Sequence, residues 1–218
     1  MKTIEKIFNF IYPNVCGFCE EICKDNICEK CNEIMEKLYI CNVNTHNPKK
    51  MYFSKHMYIF KYEGVIREKL INYKFNEKAY LYKTFGKIML KKEKIYRFLE
   101  FYDIIIPVPM HKTKKAKRGY NQTELIAKYI SKNIKKIQYA DNVLIKVKNT
   151  LPQSSLNKME RYKNIKNAYK IQNKETINNK KILVFDDIYT TGNTVRECSK
   201  ILKQNGAKEI GILTIAKD

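Results

Sequence analysis

No uninterrupted apolar stretch in this 218-residue chain approaches the roughly 20 residues that span a bilayer, so membrane insertion is not expected. Residues 1–12 are too short and too interrupted for a secretory leader. Lys2, Glu5 and Lys6 break the run, and Ile4, Ile7, Phe8 and Ile11 fall on one face of a short amphipathic helix. A cytoplasmic protein is expected. In that compartment seven cysteines do not form a disulfide framework, and metal binding is the first alternative. The chain also lacks internal repeats and low-complexity tracts. With 44% hydrophobic residues it can bury a real core, which excludes a disordered tail.

Acid is the other shortage. Lys and Arg number 43 against 22 Asp and Glu, a formal charge of +21. A coding bias toward Lys, Asn and Ile would enrich Glu as well, so bias does not explain the sign. A surplus of this size implies a polyanionic partner, nucleic acid or polyphosphate, because each Lys near a phosphate releases a condensed counterion.

Six of the seven cysteines fall between Cys16 and Cys41. Cys16-Gly-Phe-Cys19 and Cys28-Glu-Lys-Cys31 are two C-x2-C knuckles with eight residues between them. Each knuckle presents two thiolates from a tight turn, and together Cys16, Cys19, Cys28 and Cys31 complete a tetrahedral site for structural Zn²⁺. Cys23 is an alternative ligand and Cys41 stands alone. Cys198 is expected in the core, and His46 and His56 read as exposed loop histidines. The organisation expected is an N-terminal helix and four-cysteine module over 1–45, a polar linker over 46–56 and a larger domain over 57–218.

In that larger domain, residues 62–75 and 81–90 have helical spacing. Residues 102–109 are a β-branched run ended by prolines, a buried strand leading into a loop. A helix over 122–134 and a strand over 143–147 follow. The last third reads as a strand at 181–185, a loop at 186–193, a helix at 194–204 stopped by Gly206, and a strand at 210–216. Alternating strands and helices imply an α/β fold with a mostly parallel sheet, and ligand sites just past the strands' carboxyl ends.

One such end reads Val184-Phe185-Asp186-Asp187-Ile188-Tyr189-Thr190-Thr191-Gly192-Asn193-Thr194. A strand runs into two acids, then turns through hydroxyl and glycine residues into a helix. The backbone N–H groups and dipole of that helix start favour an anion, and Gly192 admits close approach. Two carboxylates would repel a phosphate, so they must serve something else, and sugar hydroxyls fit. The segment closely resembles the 5-phosphoribosyl-1-pyrophosphate (PRPP) motif of type I phosphoribosyltransferases. That resemblance implies that Asp186 and Asp187 hold the ribose hydroxyls. It also implies that Tyr189, Thr190, Thr191, Gly192, Asn193 and Thr194 complete the binding segment, with residues 190–194 on the 5′-phosphate.

The other strand ends at Pro107-Val108-Pro109-Met110-His111, ahead of Lys112, Lys114, Lys115, Lys117, Arg118 and Gly119-Tyr120-Asn121-Gln122. A basic loop after a parallel strand suits a departing pyrophosphate. Asn121 and Gln122 can equally cap the next helix. Together with Lys148-Asn149-Thr150, Pro152-Gln153, Arg161, Asn164 and Ala168-Tyr169, this pattern looks like the ComF (competence protein F) family. The resemblance implies a zinc ribbon joined to a type I phosphoribosyltransferase fold, with a hood built by residues 57–100. Pro109, Met110, His111, Lys114, Lys117, Arg118 and Arg161 become the candidates for pyrophosphate, with Mg²⁺ accompanying PRPP. Asp186, Asp187 and Arg118 become the catalytic candidates for ribosyl-phosphate transfer to a nitrogen acceptor. The family further implies natural competence and DNA uptake, with single-stranded DNA and a competence helicase or ATPase as partners. A non-catalytic binding module is the competing expectation, in which Tyr52, Phe53, Tyr58 and Phe60 either stack bases or fill the core.

Overall fold

The computed structural model describes residues 14–151 and 157–218, apart from the side chains of Lys158, Arg161 and Tyr162. The helix expected in residues 1–12 and the Pro152-Gln153 pair lie outside the described residues.

After the two cysteine knuckles comes helix α1 (Glu29–Leu38), then β1 (Asn42–Thr45), the single turn α2 (Pro48–Met51) and β2 (Lys55–Lys61). Three helices follow, α3 (Gly64–Phe75), α4 (Leu81–Leu90) and α5 (Glu93–Glu100). Then come β3 (Ile104–Pro107), α6 (Lys112–Arg118), α7 (Gln122–Asn133), β4 (Gln138–Tyr139) and β5 (Leu144–Lys146). The chain closes with α8 (Lys158–Ile165), β6 (Tyr169–Ile171), a short 3-10 turn (Lys174–Ile177), β7 (Lys181–Tyr189), α9 (Asn193–Gln204) and β8 (Glu209–Lys217).

Six strands form one sheet in the order β1-β2-β8-β7-β3-β4. Only the β1–β2 pair is antiparallel; the other four neighbours run parallel. β5 and β6 make a separate antiparallel ribbon. Parallel strands covered by helices on both faces read as continuous apolar runs. β3 is buried throughout, and so is most of β7 and β8.

Strand alternation divides the core in two. Ile105, Leu183, Phe185 and Leu213 face Ile126 and Ile130 of α7 and Leu81 and Phe85 of α4. Ile104, Ile106, Ile182, Val184 and Ile212 face Cys198 and Leu202 of α9 and Tyr169. The cysteine module joins the first layer. Phe18 meets Phe85 edge-on at 6.2 Å, and the Thr84 hydroxyl donates to the Asn26 carbonyl at 2.9 Å. Gly17 sits so close to Thr84 that a Cβ would collide with it.

Several expectations change. β2 lies inside the main sheet beside β8, so residues 55–61 belong neither to a linker nor to a hood. Residues 46–56 contain α2 and the start of β2. His56, expected in an exposed loop, is fully buried because β2 is an inner strand. Phe53 and Phe60 are core residues and cannot stack on bases. β7 continues through both acids to Tyr189, held by register pairs from Asp186–Thr214 to Tyr189–Lys217, which shortens the expected loop to Thr190, Thr191 and Gly192. Acids have poor strand propensity, and here the pairing overrides it. The expected basic loop is the helix α6, capped by the His111 ring at its start and by left-handed Gly119 at its end. Cys198 is buried, as expected.

Candidate functional site

The carboxyl ends of β3 and β7 lie side by side, joined in register from Ile104–Ile182 to Pro107–Phe185. Everything emerging from these two ends shares one rim of the sheet. The acid pair stands on β7 at that rim, the Thr-Gly turn follows it, and the residue 108–111 segment and α6 follow β3.

Asp187 is a buried carboxylate with its charge matched. Its Oδ2 meets Lys74 Nζ of α3 at 3.0 Å and accepts from Gln122 Nε2 of α7 at 3.1 Å, while Oδ1 accepts from the Ile188 N–H at 2.8 Å. Gln122 is thereby a partner of the acid rather than a cap. Asn121 is the cap, accepting from Thr123 N–H and donating to Val108 O. Lys74 was not singled out from the sequence, since nothing marks it among so many lysines.

Asp186 points to the opposite face. Its charge is felt by Lys146, Cys198 and Tyr169, all on the α9 side. Burial pushes its pKa up to about 8, the neighbouring Asp187 adds to this, and Lys74 pulls the other way. Near neutrality Asp186 therefore carries a proton while Asp187 is ion-paired. The two acids are adjacent in sequence but are held in different environments.

The turn beyond them leads tightly into α9. Gly192 takes the left-handed conformation, φ +73°, ahead of α9, and a Cβ there would strike the Tyr189 hydroxyl. The Thr191 hydroxyl oxygen is buried with no hydrogen-bond partner among the described residues. Asn193 and Thr194 open α9. Hydroxyls and helix-start N–H groups facing one space can hold a phosphate-like group.

On the β3 side, Arg118 is half-buried. It donates to Gln122 Oε1 at 2.5 Å, and its guanidinium lies 5.3 Å from the centre of the Phe75 ring. Lys114 donates to the Thr150 carbonyl at 2.6 Å, and burial and the Arg118 charge lower its pKa. Lys146 on β5 is likewise lowered by burial and then by Lys114. Among the described residues, none of these three cations has an ion pair. Lys146 is a functional candidate missed in the sequence, where the short β5 hides it. Lys117 is exposed, and Arg161 lies on α8 with its side chain outside the described set. Pro109, Met110 and His111 line a cavity of about 660 Å³ with Lys112, Lys115 and Lys146.

At the other end, the sulfurs of Cys16, Cys19, Cys28 and Cys31 all lie within 4.8 Å of one another. Cys19 and Cys28 are 3.7 Å apart, and the Cys31 N–H donates to Cys28 Sγ at 3.5 Å. Burial works to raise the Cys16 thiol, but backbone N–H groups of Cys19, Cys28 and Phe18 outweigh it and bring it down to about 6. Cys23 and Cys41 stand outside the cluster.

Residues 106–218 match the family model described as Phosphoribosyl transferase domain. Competence protein F of Haemophilus influenzae is 30% identical over 149 residues, 66% of this chain and 65% of that one. Competence protein ComFC of Streptococcus pneumoniae is 30% identical over 162 residues, covering 74% of this chain and 68% of that one. DNA utilization protein YhgH of Escherichia coli O157:H7 is 28% identical over 119 residues, 55% and 51% of the two chains. The chain thus spans about two thirds of the first two relatives and about half of the third. Among solved structures, the glutamine PRPP amidotransferase of B. subtilis aligns at 16% identity and a TM-score of 0.40, covering 63% of this chain and 26% of that one.

The parallel sheet and the matched domain define a phosphoribosyltransferase-type α/β fold. The chain belongs to the ComF family of competence proteins, and in it the four-cysteine cluster precedes the matched domain. No helix among the described residues is long and apolar enough to cross a membrane.

The raised Asp186 pKa has a consequence for stability. The folded state keeps a proton that the unfolded chain releases near 3.8, so the contribution is full below that pH and is lost as pH rises through about 8. Asp186→Asn is expected to raise the melting temperature relative to the parent more at about pH 9 than at about pH 5. Equal gains at both would show that Asp186 is not buried as an acid.

Proposed function

We propose that this chain binds PRPP across the rim formed by β7 and β3 and serves DNA handling in a competence-type process. The observation that carries the reading is the turn Thr190–Gly192. A buried Thr191 hydroxyl oxygen with no partner among the described residues stands at a helix start, four residues past the acid pair. The turn supplies donors for a 5′-phosphate. The Asp187 carboxylate keeps acceptor capacity for a ribose hydroxyl, and the protonated Asp186 carboxyl can both donate to one and accept from one. Lys114, Lys146 and Arg118 supply positive charge where pyrophosphate would lie.

With a nitrogen acceptor, the chemistry available is phosphoribosyl transfer. The bond from ribose C1 to the pyrophosphate oxygen breaks and its electron pair leaves with pyrophosphate. The acceptor nitrogen forms the new bond to C1 and then loses its proton. The chain's part is to hold the phosphate and the diol, and to place cations at the leaving group. Mg²⁺, if bound together with PRPP, would be a hard cation offsetting negative charge on the departing pyrophosphate. Calorimetric titration is expected to show PRPP binding that Mg²⁺ strengthens. Thr191→Val should weaken it about tenfold, and the double change of Asp186 and Asp187 to Ala should abolish it. No binding by the folded, metal-loaded protein would overturn the reading.

The thiolate cluster fits a structural zinc ion. A tetrahedral Zn²⁺ with Zn–S near 2.3 Å has sulfur–sulfur edges of about 3.8 Å, close to the Cys19–Cys28 separation. Cys16, Cys19, Cys28 and Cys31 would close its coordination, and the ion would serve folding rather than catalysis. Native mass spectrometry is expected to find one zinc per chain. Cys28→Ser should lose it and lower the melting temperature of the whole protein, because the module shares its core with α4; a retained zinc would argue against this ligand set.

The surplus of 43 basic over 22 acidic residues favours a second role for the same chain, direct contact with single-stranded DNA delivered by an ATP-driven partner. Affinity for an oligonucleotide should fall steeply as salt rises, with a log–log slope that counts the phosphates contacted. Absence of binding at low salt would remove this role and leave the PRPP reading untouched.

A further inference from the structure

We infer that His56 is a positioning residue for the anion-binding turn: it holds the Tyr189 ring in place beneath Thr190–Gly192. The inference rests on reading that turn as the phosphate site. It extends the site to a residue more than a hundred positions upstream, in a strand that has no part in the motif.

His56 is fully buried on β2, an inner strand of the sheet. Its Nε2 and the Thr214 hydroxyl are hydrogen-bonded at 2.9 Å, which fixes the rotation of the ring. The imidazole is stacked on Tyr189, with ring centres 4.2 Å apart and planes 23° from parallel. Thr214 is in turn the register partner of Asp186. One row therefore runs across the sheet from His56 through Thr214 to the first motif acid. A second runs from His56 through Tyr189 to the turn.

Tyr189 reaches the turn physically. There is no room for a Cβ on Gly192, because the Tyr189 hydroxyl occupies the place. The turn is thus seated on the tip of the tyrosine, and a shift of that ring shifts the backbone that presents the Thr191 hydroxyl. The Gly192 carbonyl also accepts the first helical hydrogen bond, from the Arg196 N–H at 2.9 Å. From the opposite side, Arg196 Nε donates to the Lys50 carbonyl at 3.1 Å. The start of α9 is therefore held by residues 46–56 at two points.

The groups around His56 explain why a neutral ring is used. His46 lies 6.4 Å away ring to ring, Tyr58 lies at 5.6 Å, and Phe53 packs against His46 at 4.9 Å. Burial first, then the charges of His46 and Lys217, hold the His56 pKa down to about 3. It stays uncharged at any ordinary pH and acts through its shape and one hydrogen bond. Its Nδ1 has no hydrogen-bond partner among the described residues.

The test compares His56→Ala, His56→Phe and Tyr189→Leu, by amide hydrogen exchange at Arg196 and by PRPP calorimetry on folded protein. His56→Ala and Tyr189→Leu are expected to speed Arg196 exchange and to weaken PRPP binding about tenfold or more. His56→Phe, which keeps a flat ring under Tyr189, should restore most of both. A general loss of stability would speed exchange of the β3 and α7 core amides as well, so the change at Arg196 is read against those amides. If His56→Ala fails to fold, Tyr189→Leu carries the same comparison. Parent-like exchange and affinity in His56→Ala, or no rescue by His56→Phe, would overturn the inference. Should the unmodified protein bind no PRPP, the functional reading fails, and the exchange data alone decide the positioning role.

Discussion

Strand β7 is paired on both sides and covered on both faces, and most of the molecule follows from that burial. A parallel strand with neighbours left and right cannot expose either face, so helices must lie above and below it. α4 and α7 meet Leu183 and Phe185, while α9 meets Ile182 and Val184. Its apolar run ends abruptly in two acids, and there the sheet must deal with charge. The two acids are handled differently because alternation sends them to opposite faces.

On one face Asp187 draws Lys74 from α3 and Gln122 from α7, a buried pair completed by a backbone N–H. Breaking such a pair from one side typically costs about 3–5 kcal/mol, because a buried charge is left alone. The contact thus pins two helices to the end of β7. On the other face no cation among the described residues lies so close to Asp186, and burial resolves the conflict by keeping its proton. A protonated Asp186 limits repulsion toward any phosphate at the adjacent turn.

Much of this frame was legible in the residues. The Ile104–Ile106 and Ile182–Phe185 runs, the Gly206 stop and the paired knuckles each carry a local signal that tertiary packing did not overturn. The misses share a cause: they are properties of partners far away in sequence. Lys55–Lys61 reads as the edge of a polar stretch until β8 lies beside it. Asp186 and Asp187 read as loop until Thr214 and its neighbours pair with the strand. Lys74 and Lys146 look like any other lysine until the fold brings a carboxylate or an empty cationic corner next to them.

The same long-range packing makes the cysteine module part of the site's support, not a bead on a string. Phe18, Met35 and the buried Cys16 and Cys31 share one apolar cluster with Phe85 and Leu81 of α4, and that cluster continues to Ile126 of α7. α7 begins at Gln122, the residue that steadies Asp187. The knuckles are therefore joined to the motif carboxylate by a continuous path of packed side chains through two helices. The segment joining module and domain does the same from the other face, where His46, Phe53 and His56 lie beneath Tyr189. At the rim this joining segment meets the motif strand directly, His56 stacking on the Tyr189 ring that seats Gly192.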